Sequence, residues 1–244
     1  MFDAIINFLT KNSDTIVLYT LRIPAVIVAL LIHELAHSIT AYSLGDPTAK
    51  ESGRLSLNPF KHLDPVGAVC LYVFQVGWAK PVAINSKNFR NERLGVILTS
   101  LSGPLANLLA FVVSCGLMVF TYGGMYFIAI TWGSSIFITI LGYFYILFQL
   151  TAGFNFVLGV FNLLPIFPLD GSRVLMSALP RRISKPILRY EKFISIGVIA
   201  LIIIDRFTLQ FIQNTISILY ELSGDLILPL FESLVTKILL LFII

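Results

Sequence analysis

Charge is what this chain has least of. Of its 244 residues only 12% are Asp, Glu, Lys or Arg, against roughly 25% in soluble globular domains. Hydrophobic residues make up 57%, and the mean hydropathy is +0.89. That balance excludes an ordinary soluble enzyme and describes a polytopic membrane protein. Long polar stretches are missing too: the longest run to about 20 residues, too short for a sizeable soluble domain. Cysteine is scarce. Cys70 and Cys115 both sit in apolar runs, which argues against a disulfide framework or a cysteine metal site and for two small buried hydrophobes. A cleavable leader is not expected, because Met1–Leu9 is short, carries Asp3 and lacks a basic start. The first apolar segment should therefore be kept as an anchor. The net charge of +4 and pI near 9.1 do not point to nucleic acid. Lys and Arg gather in loops beside apolar segments, as in cytoplasmic loops of membrane proteins, so the expected surroundings are a lipid bilayer.

What is present is a series of apolar stretches with punctuation. A spanning helix needs about 20 apolar residues. Thr15–Leu44 exceeds that, carries Pro24 early, and stops at Gly45-Asp46-Pro47. Gly53–Pro59 alternates leucines with small or polar residues, a period of two that predicts a short strand. Asp64–Trp78 is apolar but marginal in length, with Asp64 placed to cap it. Leu94–Tyr122 reads as a clear span ended by Gly123-Gly124, and Met125–Phe167 as one long span with a re-entrant portion or two spans meeting near Gly142. Ile194–Ile204, Leu209–Leu222 and Leu226–Ile244 add two or three more. The expected fold class is all-α, a bundle of about five or six transmembrane helices with a short membrane-associated strand or re-entrant segment. It forms one integral-membrane domain over residues 1–244, with a catalytic core about 15–180 and C-terminal helices about 187–244. Basic residues cluster at 45–62, 79–93 and 170–192, which places those segments in the cytoplasm and the Gly-Gly turn outside. For this Asp64–Trp78 must dip into the membrane without crossing and 125–167 must cross once.

Against that apolar background, His33-Glu34-Leu35-Ala36-His37 stands inside the first long helix. An ionisable group at membrane depth costs several kcal/mol unless a partner, a metal or a wet cavity offsets it. The spacing is His-Glu-x-x-His. Residues four apart share a helical face, so His33 and His37 can hold one metal ion, with Glu34 on the flank as a base. The alternative is a pair of buried structural histidines. A second polar constellation, Asn162 through Gly171, ends a later apolar stretch. Pro165 and Pro168 cannot continue a regular helix, and Gly171 permits a sharp turn directly after Asp170. Irregular backbone at membrane depth is tolerated only where protein or water surrounds it. Asp170 is the natural third ligand, since catalytic zinc commonly takes two His and one carboxylate; otherwise it is a turn-forming Asp before Gly. His62, beyond the helix end and between Pro59 and Pro65, reads as structural or interfacial.

Together these residues closely resemble the site-2 protease family of intramembrane zinc metalloproteases. Further matches are Gly53–Pro59, His62–Gly67, Gly77–Pro81 and Ser102–Asn107, so the resemblance covers about residues 30–180. It looks like a minimal member, with no room for a PDZ or CBS domain. The resemblance implies that His33, His37 and Asp170 hold one Zn²⁺ per chain and that Glu34 is the catalytic base. Zinc lowers the pKa of a coordinated water toward ~7 and polarises the scissile carbonyl. Asn162 would bind substrate or donate to the oxyanion, or else form an interhelical hydrogen bond. Asn107 divides evenly between such a role and plain helix packing.

The implied function is hydrolysis of peptide bonds within or near transmembrane segments of other membrane proteins, in regulated intramembrane proteolysis or membrane-peptide clearance. A helical peptide bond is shielded, so the substrate must unwind, and Gly53, Leu55 and Asn58 could offer a strand edge to receive it. The expected location is the plasma or inner cell membrane, multi-pass, with the active site toward the cytoplasmic side. Two rivals stand beside this reading. A catalytically silent binding or quality-control module is disfavoured by the full set of His33, Glu34, His37 and Asp170. A metal transporter should show more polar groups along a path and inverted repeats, and neither is found.

Overall fold

The computed structural model describes residues 15–62, 64, 67, 80, 82–133 and 135–207 of the chain. Among them the regular structure is all helical: α1 (Thr15–Ser43), the single turn α2 (Thr48–Glu51), α3 (Glu92–Thr131), α4 (Ser135–Leu163), α5 (Asp170–Ala178), α6 (Arg181–Arg189) and α7 (Glu191–Phe207), with short 3-10 turns at Pro59–Lys61 and Ser86–Asn88. Among the described residues three helices are long and apolar enough to cross a membrane: Val17–Ser43, Glu92–Thr131 and Ile136–Leu163. The expected re-entrant segment at 64–78 falls almost wholly outside the described residues, as do the spans expected from Leu209 onward. Asp64 does act as a cap, its carboxylate accepting from the Gly67 amide at 2.8 Å.

Two expectations are corrected. Gly53–Pro59 is not a strand but a loop ending in a 3-10 turn. Gly53 takes a left-handed φ of 69°, which breaks the pleat. The Asn58 side chain accepts from the Phe60 amide at 3.0 Å and turns the chain. The buried Arg54 donates to the carbonyls of Lys61 and Lys80, and those bonds fold the loop back on itself. The second correction concerns Gly123-Gly124, which does not end a helix. α3 continues to Thr131 and stops at Gly133, whose φ is 63°. Glycine weakens a helix by about 1 kcal/mol in water, but in an apolar medium leaving the ladder exposes backbone groups with no partner. The glycine pair instead permits close packing: a Cβ at Gly124 would stand 3.3 Å from Leu141.

The chain divides into two compact units. One comprises Met1–Ile27, Leu109–Asn155 and Ile218–Ile244. Its described core is Met125, Ala129 and Ile138, with Tyr122, Ile128, Leu141 and Tyr145 packed around it. The other comprises Val28–Leu108 and Phe156–Ser217 and holds both histidines of the His-Glu-x-x-His segment together with Asp170.

In this second unit Asp46 organises the polar segment between α1 and α3. Its buried carboxylate accepts from the Thr48 hydroxyl (2.5 Å) and amide (3.2 Å), the Asn85 amide (2.8 Å) and the Asn88 side chain (2.8 Å). Burial alone would push its pKa up, but these donors outweigh it and hold the group below the usual carboxylate range. His62 forms a second tie: its Nε2 donates to the Ser56 carbonyl at 2.8 Å, and its own carbonyl accepts from Lys80 at 2.8 Å. Because the folded pKa of Asp46 is depressed, its stabilisation is present above the unfolded value near ~4 and is lost as pH falls through the folded value. Asp46→Ala strands several donors and should cost about 2–3 kcal/mol. Thermal unfolding of wild type and variant in detergent, repeated at falling pH, checks both points: the gap between them should close in acid.

Candidate metal centre

α1 carries His33 and His37 one turn apart, both only 6% exposed. Helical periodicity brings their rings together, edge to face, with centroids 4.5 Å apart. What fixes the rings is α3. The Asn107 side-chain oxygen lies 2.6 Å from His33 Nδ1, and its Nδ2 donates to the Ala29 carbonyl at 3.0 Å. The Thr99 carbonyl lies 2.7 Å from His37 Nδ1. Both partners are acceptors, so each Nδ1 keeps its proton and donates, and each Nε2 is left as a lone pair. Thr99, Gly103 and Asn107 are four apart and line one face of α3. Gly103 sits between the two anchors, where a Cβ would stand 2.5 Å from His37 Nε2 and 2.8 Å from His33 Cε1. No larger residue lets the rings come this close.

Asp170 is the first residue of α5, just after the irregular stretch that succeeds α4. Its Oδ2 lies 3.0 Å from His33 Nε2 and 3.1 Å from His37 Nε2, and the two Nε2 atoms are 3.0 Å apart. Gly171 makes this placement possible, since a Cβ there would collide with the Leu163 carbonyl. Among the described residues this is the one group of three potential ligands whose donor atoms converge. Three acceptors so arranged repel one another unless a proton or a cation lies between them. Bonds of ~2.0–2.1 Å to a tetrahedral zinc would set ligand atoms roughly 3.3 Å apart, close to the observed spacing. The donor set, two neutral imidazoles and a carboxylate, suits that metal.

The remaining candidates fall differently. Glu34 is half-buried on the flank of the histidine face, and no described residue donates a hydrogen bond to its carboxylate. Asn162 donates to the Leu158 carbonyl of its own helix at 3.0 Å, with no hydrogen bond to the triad. Gly53, Leu55 and Asn58 lie in the loop after α2, where Asn58 serves as a turn cap. His62 is buried in its own loop tie and is not one of the converging ligands. The sequence pattern does not single out Thr99, and it offers Asn107 and Gly103 only for packing or substrate contact. Their four-residue spacing on a helix opposite the histidines is the signal that could have found them.

A family model described as Peptidase family M50 matches residues 22–204, which include all of these positions. The provisionally named zinc metalloprotease YwhC of Bacillus subtilis is 38% identical over 169 residues, covering 68% of this chain and 73% of that protein. The likewise provisionally named zinc metalloprotease Rip2 of Mycolicibacterium smegmatis is 30% identical over 158 residues, covering 63% of this chain and 55% of its own length. No solved structure shows a significant match.

Removing the partner of a ligand histidine typically costs about 10–100-fold in metal affinity. Asn107→Ala should weaken zinc by that factor, and Gly103→Ala, which displaces both rings, by at least as much. Chelator competition on purified variants of unchanged helix content checks both.

Proposed function

The chain belongs to peptidase family M50, the site-2 protease family, and from that premise we propose that this zinc metallopeptidase cuts peptide bonds within or beside transmembrane segments of other membrane proteins. The observation that carries the reading is the convergence of His33 Nε2, His37 Nε2 and Asp170 Oδ2 within about one bond's reach of a common point, between helices with the composition of membrane spans. Zinc, when bound, supplies a Lewis acid for the scissile carbonyl and brings the pKa of water near ~7. His33, His37 and Asp170 hold it, and the Nδ1 bonds to Asn107 and Thr99 keep both imidazoles aimed. Glu34 takes a proton from the attacking water and delivers it to the leaving amine; a carboxylate to which no described residue donates is suited to that work. Asn162 is assigned to the substrate, releasing its intrahelical bond to donate to the carbonyl oxygen as charge develops.

The substrate is a helical segment that must unwind to be cut. On this reading the chain is one integral-membrane peptidase domain in the plasma or inner membrane. The site opens toward the cytoplasmic side, where the basic segments 45–62, 79–93 and 170–192 gather.

Glu34→Gln should retain zinc and lose about 10²–10⁴-fold in cleavage, whereas Asp170→Asn should lose the metal. The test co-expresses wild type and each variant in membranes with tagged single-span substrates, scoring intramembrane cuts and measuring zinc on the purified proteins. Equal cleavage by wild type and Glu34→Gln would sink the assignment of the base.

A further inference from the structure

α6 has no part in the chemistry above, yet its composition is unlike that of the other described helices. Four of its nine residues, Arg181, Arg182, Lys185 and Arg189, are cationic, and all four are exposed. The helix contains no acid. At 100° per residue these cations fall in one arc about 100° wide, and Ile183 and Ile187 lie on the opposite side. Ser184 is buried and marks the side packed on the rest of the unit. Ile183 is 50% exposed and Ile187 partly so, which leaves the apolar side open in part. Arg181 pairs with Glu92 at 3.6 Å, but among the described residues no acid pairs with the other three cations.

The neighbouring helix says what lies against this surface. α7 begins two residues later and presents Phe193 (72% exposed), Ile196 and Leu201 outward, as a lipid-facing helix does. At the junction Tyr190, itself exposed, stands between Arg189 and Lys192. An aromatic ring among cations at the end of an apolar helix marks a membrane–water interface. α6 therefore lies where the chain meets the bilayer surface. A helix with a cationic face and a partly uncovered apolar face is suited to the plane of that interface.

We propose that α6 is an in-plane anchor that binds the headgroups of anionic phospholipids through Arg182, Lys185 and Arg189 while Ile183 and Ile187 enter the acyl boundary. Free phosphate or an acidic protein would meet the cations but offer nothing to the isoleucines. Each cation held near an anionic surface contributes about a fivefold preference. The anchor also lies near Asp170 in the chain. α6 succeeds α5 through Leu179-Pro180, and Arg93 at the start of α3 donates to the Ser177 and Ala178 carbonyls that end α5. The anchor thus adjoins, through one short connection, the helix whose first residue is Asp170.

The test places the full chain in nanodiscs of phosphatidylcholine, with or without a third of phosphatidylglycerol, and tracks amide hydrogen exchange of residues 181–190. Exchange should slow at least about tenfold with the anionic lipid and recover at about 1 M salt, where screening reaches ~3 Å. The R182Q/K185Q/R189Q variant should exchange alike in both lipids, with α3 and α4 peptides unchanged as the control for folding. Should that variant fail to insert, the single exposed change K185E should still reduce the difference between lipids. Equal exchange of wild type in both lipids would overturn the proposal. So would protection reproduced by inorganic phosphate added to the neutral discs. Neither result depends on peptidase activity.

Discussion

Everything distinctive in this molecule depends on two hydrogen bonds that keep protons on the Nδ1 atoms of His33 and His37. A histidine in an apolar helix is a liability while its ring is free to choose a tautomer. Acceptors on α3 remove the choice: each imidazole becomes a fixed donor on one side and a lone pair on the other. The two lone pairs then have to face each other, and Asp170 closes the triangle. Gly103 matters because these bonds are short and the rings must lie nearly against the α3 backbone. The break between α4 and α5 matters because a carboxylate has to arrive at the same point from another part of the chain.

The division of labour between side chain and backbone explains how much of the site is legible in the sequence. His33, Glu34 and His37 are a local pattern, and a helix of known period converts spacing into geometry directly. Asp170 is legible because proline and glycine around it announce a break at membrane depth. The supports are less so. Thr99 acts through its carbonyl, which no side-chain pattern encodes, and Asn107 becomes meaningful only when α3 is laid against α1. Tertiary proximity, not composition, decides between a packing asparagine and one that aims a ligand.

The departures of the fold from its sequence pattern have the same origin. The leucines of Gly53–Pro59 alternate as in a strand, yet Arg54 lies inside the fold and spends its guanidinium on carbonyls of the same unit. Buried charge overrides period. Gly123-Gly124 looks like punctuation because glycine ends helices in water. In a chain this apolar, the penalty for leaving the helical ladder exceeds the entropy that glycine gives up by staying in it, and the helix runs on to Thr131. Three described helices are long and apolar enough to cross a membrane, His33, His37 and Asp170 converge, Ile194–Ile204 lies in the 17-residue α7, and the stretches from Leu209 onward fall outside the described residues.

The tautomers also decide which way the pocket can be read from outside. With each Nδ1 turned to an acceptor on α3, His33 and His37 show only lone pairs to the space they share with Asp170. That space offers two imidazole nitrogens and one carboxylate oxygen and no N–H donor from either ring, so it suits an electron-pair acceptor and repels an anion. Nitrogen and oxygen donors in this number and spacing suit a borderline metal ion with a small coordination shell.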